Sequence, residues 1–352
     1  MKVLLATSLR RGGPIEHALT LARALDGAGV EVEATCADDG LAGRFAAAGA
    51  TPHVLALERT ADLAGARRLA ELARGVDVVH AQDRRTGLLT RVWRPDRAPR
   101  VYTVHGLPDP YLPIPANRGR RPGARNQLAY RGLDAWLGRR SDALVVASHA
   151  LAEQLVRRLG FPAGRLEVIP NGVEPVPATE GGELVASISV LEPVKGLDAF
   201  VAAAAELGDR GGARYAIFGS GPACDDLRAR AADAGAPVEF PGHVPAAELL
   251  PRLRIFVLTS WFENCPMALL EAMMAGVPAV VTAVGGVPEM VADTALTVPP
   301  GDPAALAAAL RRLLDDPALA TDLGARARAR ALTHFTAADN AARMIDLYER
   351  VA

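Results

Sequence analysis

Two glutamates, Glu263 and Glu271, lie on either side of a predicted junction between a strand and a helix. The apolar run 255–258 predicts a buried strand before Glu263, and Gly276 and Pro278 end the helix that contains Glu271. Ligands of open α/β sheets bind beyond the carboxyl ends of the strands, where a helix N-terminus offers N–H groups to phosphate. The two carboxylates therefore suit a nucleotide-sugar, with Glu263 accepting from sugar hydroxyls and Glu271 from ribose hydroxyls. The alternative is two ordinary solvated helix glutamates.

Short apolar runs alternate with helical patterns along the chain, which is typical of parallel sheets flanked by helices. The predicted strands are 2–7, 30–35, 52–55, 76–80, 100–104, 142–147, 184–190, 214–218, 237–240, 254–258 and 278–281. The predicted helices are 14–27, 62–74, 149–159, 196–207, 222–234, 245–250, 266–275, 303–314, 318–332 and about 336–350. A stretch rich in proline and glycine, 170–182, predicts a linker between two α/β domains.

Composition narrows the class of protein. The chain has 352 residues, of which 50% are hydrophobic and 22% are charged, as in soluble globular proteins of two domains. The net charge of −1 gives no field that would favour nucleic acid. Three scattered cysteines and an N-terminus without a signal-peptide pattern predict a reduced, cytoplasmic location.

Several motifs resemble, in their order and spacing, those of the retaining GT-B-fold glycosyltransferases of family 4 (the glycosyl transferases group 1 type). The segment from Glu263 to Glu271 resembles the E-x7-E motif of that family, and 285–289 resembles its GG-x-P-E turn. The other matching segments are 12–16, 103–106, 170–173, 195–196, 218–222, 241–244 and 298–303.

This resemblance implies a GT-B fold, that is, two Rossmann-like domains with doubly wound parallel sheets facing across a cleft. Residues 1–178 should bind the acceptor, residues 179–335 should bind the nucleotide-sugar donor, and a helix in 336–352 should cross back to the first domain. The implied activity is a retaining transfer of a sugar from a UDP- or GDP-linked donor to a hydroxyl acceptor. That acceptor would be a cell-envelope saccharide, a lipid-linked glycan or a small metabolite.

The resemblance also assigns roles to individual residues. Its catalytic residues correspond to His105, Lys195 and Glu263, with Lys195 neutralising the diphosphate. His80, which also ends a predicted strand, is either a site residue or a structural one. The implied donor-binding residues are Gly12, Gly13, Gly219, Gly242, His243, Asn264, Cys265, Met267, Ala268, Glu271 and Glu289. No D-x-D motif is placed to bind a metal, so the prediction is metal-independent transfer without a cofactor.

Val190 departs from the family pattern, because many members carry an arginine five residues before the lysine that corresponds to Lys195. The uncharged side chain of valine cannot form an ion pair with a phosphate group. Two alternatives to a transferase therefore stay open: a GT-B-fold epimerase of nucleotide-sugars, which needs no acceptor, and a catalytically weak GT-B subunit that binds or activates a partner.

The segment 118–140 contains seven arginines and one acidic residue, Asp134. Leu128, Leu133, Trp136 and Leu137 fall near one face of a helix. One interpretation is a basic amphipathic helix at the inner face of an anionic membrane, near a lipid-linked acceptor. The other is an amphipathic helix that packs against the sheet of its own domain.

Overall fold

A computed structural model describes residues 1–57, 62–92, 94, 96–108, 111–112, 114–115 and 124–352, excluding the side chains of 124–130. The chain divides into two compact units. Unit 1 comprises Met1–Pro110, Arg121–Glu174 and Ala337–Ala352. Unit 2 comprises Pro175–Thr336 together with Tyr111–Arg120. The linker predicted at 170–182 contains the boundary between Glu174 and Pro175.

Unit 1 contains a parallel sheet of seven strands in the order β3-β2-β1-β4-β5-β6-β7. The strands are β1 Lys2–Ala6, β2 Glu31–Cys36, β3 Thr51–Val54, β4 Val78–Ala81, β5 Arg100–Thr103, β6 Ala143–Val146 and β7 Leu166–Val168. The helices are α1 Gly13–Gly27, α2 Asp39–Ala47, α3 Leu63–Ala73, α4 Arg84–Val92, α5 Ala124–Arg139, α6 His149–Gln154 (followed by a π-turn, Leu155–Leu159) and α14 Ala337–Val351.

Unit 2 contains a parallel sheet of six strands in the order β10-β9-β8-β11-β12-β13. The strands are β8 Leu184–Ile188, β9 Arg214–Phe218, β10 Val238–Gly242, β11 Leu253–Leu258, β12 Ala279–Thr282 and β13 Leu296–Val298. The helices are α7 Leu197–Leu207, α8 Cys224–Asp233, α9 Ala246–Leu249, α10 Met267–Met274, α11 Val287–Val291, α12 Pro303–Asp315 and α13 Pro317–His334.

Local sequence explains why these elements form where they do. The central strands are continuous runs of Val, Leu, Ile and Ala that are buried on both faces, as parallel sheets covered by helices require. Side chains of Asp38, Ser148, Asp302 and Asp316 each accept a backbone N–H at the start of a helix. The strands and helices of the two parallel α/β sheets confirm the predicted fold class.

The sequence missed short elements. Strands β7 and β13 have three residues each, which is too few for alternation or a long apolar run to identify them. Helix α4 was missed because its apolar face is short and interrupted by arginines and threonines. Helices α2 and α11, with nine and five residues, were missed because they are too short to show a clear helical periodicity.

Helix α14 belongs to unit 1 and packs there against the core beside β1, β2 and α1. Its Met344, Leu347 and Tyr348 are buried in that core. Two hydrogen bonds secure its first turns: the Ala337 N–H donates to the carbonyl of Val173, and the Asn340 amide donates to the carbonyl of Pro170 over 2.6 Å. The end of the chain is therefore an integral part of the unit that contains the first strand.

The arginine-rich segment is described in part. Residues 116–123 lie outside the described residues, and from Arg131 onward the side chains of α5 are described. There, Asp134 and Leu137 are buried, whereas Leu133 is partly exposed and Arg139 is exposed. The described half of this helix thus packs one face against unit 1; membrane contact stays a prediction.

Tyr348→Phe should destabilise the protein. The Tyr348 hydroxyl lies 2.6 Å from His80 Nδ1 in a fully buried pair, so phenylalanine leaves a buried ring nitrogen without its partner. We expect a loss of about 1–3 kcal/mol in the free energy of unfolding, measured by urea titration.

Tyr215→Phe is the matched control. Tyr215 is also buried, but its hydroxyl has no hydrogen-bond partner among the described residues. Its removal should leave the free energy of unfolding unchanged or raise it, because an unpartnered buried hydroxyl is lost. Equal losses in the two variants would contradict a specific role for the bond between Tyr348 and His80.

Candidate functional site

Two of the predicted catalytic residues, Lys195 and Glu263, follow neighbouring strands in the sheet of unit 2. Strands β8 and β11 are neighbours, but the chain continues from β8 toward β9 on one side and from β11 toward β12 on the other. At such a reversal of strand order, the loops that follow the two strands separate and leave a crevice, which is where open α/β sheets bind ligands. Lys195 follows β8 and Glu263 follows β11.

Lys195 and Glu263 form an ion pair at this crevice. Lys195 Nζ donates to Glu263 Oε1 over 2.7 Å, and the Ser260 hydroxyl donates to the same oxygen over 2.6 Å. The Lys195 side chain is 22% exposed and that of Glu263 is 10% exposed. Because both bonds use Oε1, the carboxylate is fixed in orientation, and among the described residues no side chain bonds Oε2. Sequence reasoning did not select Ser260, although it directly follows the β11 strand.

Backbone contacts hold the two loops together. The Thr259 hydroxyl donates to the carbonyl of Lys195 over 2.8 Å. The Trp261 N–H donates to the carbonyl of Val194 over 2.8 Å. The loop after β8 and the loop after β11 are therefore joined by one main-chain bond and one bond from a side chain to the main chain, as well as by the ion pair. These contacts position Lys195 beside Glu263.

A third loop, after β12, packs against the backbone of Glu263. The Gly286 N–H donates to the carbonyl of Glu263 over 3.0 Å. Gly285 has a φ of +51°, and a Cβ there would overlap that same carbonyl oxygen. Close approach to the Glu263 carbonyl therefore requires glycine at 285, the first position of the motif at 285–289.

The predicted donor residues after β9 and β10 are also neighbours. The Gly219 N–H donates to the carbonyl of Gly242 over 2.8 Å, and Gly219 has a φ of +128° that L side chains rarely adopt. A Cβ at Gly219 would overlap the carbonyl oxygen of Ser189, directly before Val190. His243 is exposed beside this pair. These loops bring backbone rather than charged side chains to the edge of the sheet.

The remaining predicted residues of unit 2 lie on or beside two helices. Asn264 and Cys265 are buried in the loop before α10, Met267 and Ala268 open that helix, and Glu271 is a partly exposed residue within it. The cap position of α10 is Pro266, which has no N–H, so the first donors at this helix start are those of Met267 and Ala268. Glu289 is exposed on the short α11.

Unit 1 has an equivalent reversal of strand order between β1 and β4. Gly12, with a φ of +95°, caps α1 after β1, and Gly13 is the first residue of that helix. Asp83 follows β4 and accepts hydrogen bonds from the Ser8 N–H, over 2.6 Å, and from the Ser8 hydroxyl, over 3.0 Å. This aspartate ties the glycine loop after β1 to the start of α4.

His105 is partly exposed in unit 1 and lies beside two buried histidines, His17 and His80. Its ring is 5.3 Å from that of His17, measured between centroids, and its Nε2 lies 3.3 Å from Gln82 Oε1. His80 uses both ring nitrogens, Nδ1 with the Tyr348 hydroxyl and Nε2 with the Thr103 hydroxyl over 2.7 Å. His80 is thus a structural residue, which answers the question that the sequence left open. No motif or spacing in the sequence indicated His17.

Burial keeps these imidazoles neutral. It lowers the pKa of His17 to about 4. Burial, together with the charges of His17 and Arg91, lowers the pKa of His80 to about 3. Burial, followed by the charges of His17 and His80, places the pKa of His105 well below its ordinary range. A neutral His105 can act as a hydrogen-bonding group toward a ligand but adds no positive charge.

A cavity of about 240 Å³ lies beside His105 within unit 1. Its walls include Gln82, Asp83, Arg84 and Asp134, with Arg84 Nε donating to Asp134 Oδ1 over 2.7 Å. Burial raises the pKa of Asp134, against the effect of Arg84. Sequence reasoning did not select these residues, although Gln82 and Asp83 directly follow β4 and Asp134 is the one acid of the arginine-rich segment.

Two features are absent from the described residues. They contain no cluster of three or more His, Cys, Asp or Glu side chains that could hold a metal ion. None of their helices is long and apolar enough to cross a membrane.

Comparison with known proteins agrees with this geometry. Across 99% of the chain, the structure matches the crystal structure of Anabaena Alr3699/HepE in complex with UDP-glucose, with a TM-score of 0.84 and 18% identity, covering 100% of that chain. Two parallel α/β units of this kind define a protein of the GT-B fold.

Sequence comparison then gives the family. One family model, Glycosyltransferase Family 4, matches residues 11–176, and another, Glycosyl transferases group 1, matches residues 182–316. The chain belongs to the group 1 glycosyltransferases.

Two curated relatives illustrate the similarity. The glycogen synthase of Mycobacterium tuberculosis is 33% identical over 219 residues, which are 58% of this chain and 53% of the relative. The chain thus matches only about half the length of that protein. The MMP alpha-(1->4)-mannosyltransferase of Mycolicibacterium hassiacum is 28% identical over 311 residues, covering 83% of this chain and 75% of the relative.

The buried histidines predict loss of stability in acid. In the unfolded chain each imidazole takes up a proton below about pH 6.5, whereas in the folded chain His17 does so only near pH 4. The unfolded state therefore binds more protons between these values, and stability falls as the pH decreases through this window. We expect His17→Leu to reduce the slope of unfolding free energy against pH by up to about 1.4 kcal/mol per unit, measured by urea titration at pH 7.5 to 4.5.

His243→Gln serves as the control for that slope, because His243 is exposed. Its replacement should leave the pH dependence close to that of the wild type. An unchanged slope in His17→Leu would show that His17 is protonated in the folded protein.

Proposed function

We propose that this chain transfers a sugar, with retention of anomeric configuration, from a UDP- or GDP-linked donor to a hydroxyl acceptor. The observation that carries the proposal is the convergence of Lys195 and Glu263 where the strand order of unit 2 reverses. A cation suited to a diphosphate stands there beside a carboxylate suited to sugar hydroxyls. The UDP-glucose in the HepE structure and the names of the relatives support a nucleotide-sugar donor.

In the proposed mechanism unit 2 holds the donor. Lys195 and backbone N–H groups near Gly219 and Met267 stabilise the diphosphate as the bond from the anomeric carbon to phosphate oxygen breaks. Glu263, with its Oε2 available among the described residues, accepts from hydroxyls of the sugar and fixes its orientation. Glu271 accepts from the ribose. In this mechanism Lys195 and the backbone N–H groups stabilise the charge of the diphosphate, and no metal ion takes part.

Unit 1 holds the acceptor. Gly12 and Gly13 allow the backbone to come close to a ligand, and neutral His105 hydrogen-bonds a hydroxyl without attracting phosphate. The acceptor oxygen bonds the anomeric carbon on the face that the diphosphate leaves, and its proton passes to the departing phosphate oxygen. Retention follows because the two groups share one face.

Lys195→Met should weaken donor binding. Losing a charged hydrogen bond to phosphate costs about 1.5–3 kcal/mol, or roughly ten- to hundredfold in affinity. The measurement is calorimetry with UDP, GDP and their glucose and mannose conjugates on the wild type, on Lys195→Met and on Glu271→Ala. We expect one nucleotide to be selected, and both variants to lose affinity for it.

Lys2→Met is the matched control, since Lys2 is the other lysine of the chain. It lies at the start of β1 and pairs with Glu31 and Glu33, away from the carboxyl ends of the strands. Its replacement should leave nucleotide affinity unchanged. Failure of the wild type to bind any of these nucleotides would refute the proposed function.

Val190 favours one competing function, a subunit that binds the donor poorly and acts through a partner. Val190 is partly exposed in the loop after β8, directly behind Ser189. Val190→Arg adds a cation at the position where the family pattern described above has an arginine. If the valine weakens diphosphate binding, this change should raise donor affinity about tenfold or more, by calorimetry.

Product analysis separates the remaining alternatives. A transferase yields free nucleoside diphosphate and a glycosylated acceptor, whereas an epimerase yields an altered nucleotide-sugar or free sugar without an acceptor. Tight donor binding by the wild type, with no gain in Val190→Arg and with turnover of the isolated chain, would exclude the weak-subunit function.

A further inference from the structure

The cavity of unit 1 contains buried polar atoms that the protein itself leaves unpaired. Gln82 is fully buried and Asp134 is 3% exposed. Among the described residues, Gln82 Nε2 and Asp134 Oδ2 have no hydrogen-bond partner. Both residues line the cavity beside His105. Buried polar groups without partners each cost about 1–3 kcal/mol, so their presence in one cavity indicates that a ligand supplies the missing bonds.

The two atoms require opposite partners. Gln82 Oε1 is hydrogen-bonded to His105 Nε2. The Gln82 side-chain nitrogen is therefore the end of the amide that lacks a partner, and as a donor it needs an acceptor. Asp134 Oδ1 is held by Arg84, and Oδ2 is a carboxylate oxygen that needs a donor. A hydroxyl group both accepts and donates. An ammonium group cannot accept from the amide, and a fully ionised phosphate has no proton to donate to the carboxylate.

Charge also disfavours phosphate. The cavity includes two carboxylates, Asp83 and Asp134, against one guanidinium, Arg84, which is already bound to Asp134. His105 contributes no positive charge because burial lowers its pKa. A phosphate here would meet a net negative environment.

The volume and the remaining walls suit one ring. About 240 Å³ corresponds to the liquid volume of about eight water molecules at roughly 30 Å³ each, and pockets for drug-sized ligands begin near 300 Å³. Leu155, Leu159 and Phe161 form an apolar wall. Sugar and cyclitol rings have an apolar C–H face together with hydroxyls at the edge, which matches a cavity with one apolar wall and polar groups elsewhere.

We propose that this cavity binds one uncharged, polyhydroxylated ring of the acceptor, whose hydroxyls accept from Gln82 and donate to Asp134. This inference rests on the proposed function and specifies the acceptor class. Gln82 and Asp134 then determine specificity for an unphosphorylated ring, and Arg84 positions Asp134.

The test measures binding of defined probes to the full chain by saturation-transfer NMR and competition, in the presence of the nucleotide that binds most tightly. The uncharged probes are myo-inositol, methyl α-D-glucoside and methyl α-D-mannoside. The charged probes are inositol 1-phosphate, glucose 6-phosphate and mannose 6-phosphate. We expect at least one uncharged ring to bind, and its phosphate ester to bind at least tenfold more weakly.

Gln82→Met should weaken binding of the uncharged ring by about ten- to hundredfold, because a ligand hydroxyl loses its donor. Asp134→Asn should weaken it by about tenfold, because a neutral amide replaces a charged acceptor. Nucleotide affinity should be unchanged in both. Tyr215→Phe removes an unpartnered buried polar atom in the core of unit 2 and should leave both affinities intact. If Asp134→Asn does not fold, Gln82→Met still tests the same cavity.

Three results would overturn the proposal: tighter binding of the phosphate esters, unchanged ring binding in both variants, or no binding of any uncharged ring while nucleotide still binds. The last result leaves the proposed function intact. Loss of nucleotide binding by the wild type would instead refute the proposed function itself.

Discussion

The architecture of the donor-side site depends on one buried residue, Glu263. Its side chain binds Lys195 from the loop after β8 and Ser260 from the loop after β11. Its carbonyl accepts the N–H of Gly286 from the loop after β12. Three loops from three adjacent strands are thus held at one position, and the glycine at 285 exists because any side chain there would overlap that carbonyl. A carboxylate fixed in this way keeps one oxygen for the protein and leaves the other for a ligand.

The two units use the same sheet order but differ in the chemistry at its reversal. Unit 2 presents a cation, a carboxylate and glycine-rich backbone, which together suit a charged diphosphate and a sugar. Unit 1 presents neutral imidazole, an amide and a carboxylate paired with arginine. Burial is the cause of the difference, because it removes the charge of the histidines that would otherwise attract phosphate. This contrast in charge supports the proposed division of roles, with the donor in unit 2 and the acceptor in unit 1.

Stability and site geometry are linked in unit 1 through the end of the chain. Tyr348 of α14 bonds His80, which bonds Thr103 at the end of β5, two residues before His105. A helix near the C-terminus therefore contributes to the order of residues beside the cavity. The packing of α14 on unit 1 thus affects both the stability of that unit and the position of residues near His105.

The sequence by itself determined the class of fold and the residues around Glu263, because the strands are long apolar runs and the motif spacing is local. It also identified Gly219 and Gly242 as members of one site, and the structure joins them by a hydrogen bond. Tertiary structure alone decided which residues surround His105. His17, Gln82 and Asp134 come from α1, the loop after β4 and α5, and no periodicity links positions so far apart. It also decided that His80 is structural, since its partner Tyr348 lies 268 residues away in the chain. Local patterns report burial and turns, whereas the pairing of buried polar groups depends on which strands become neighbours.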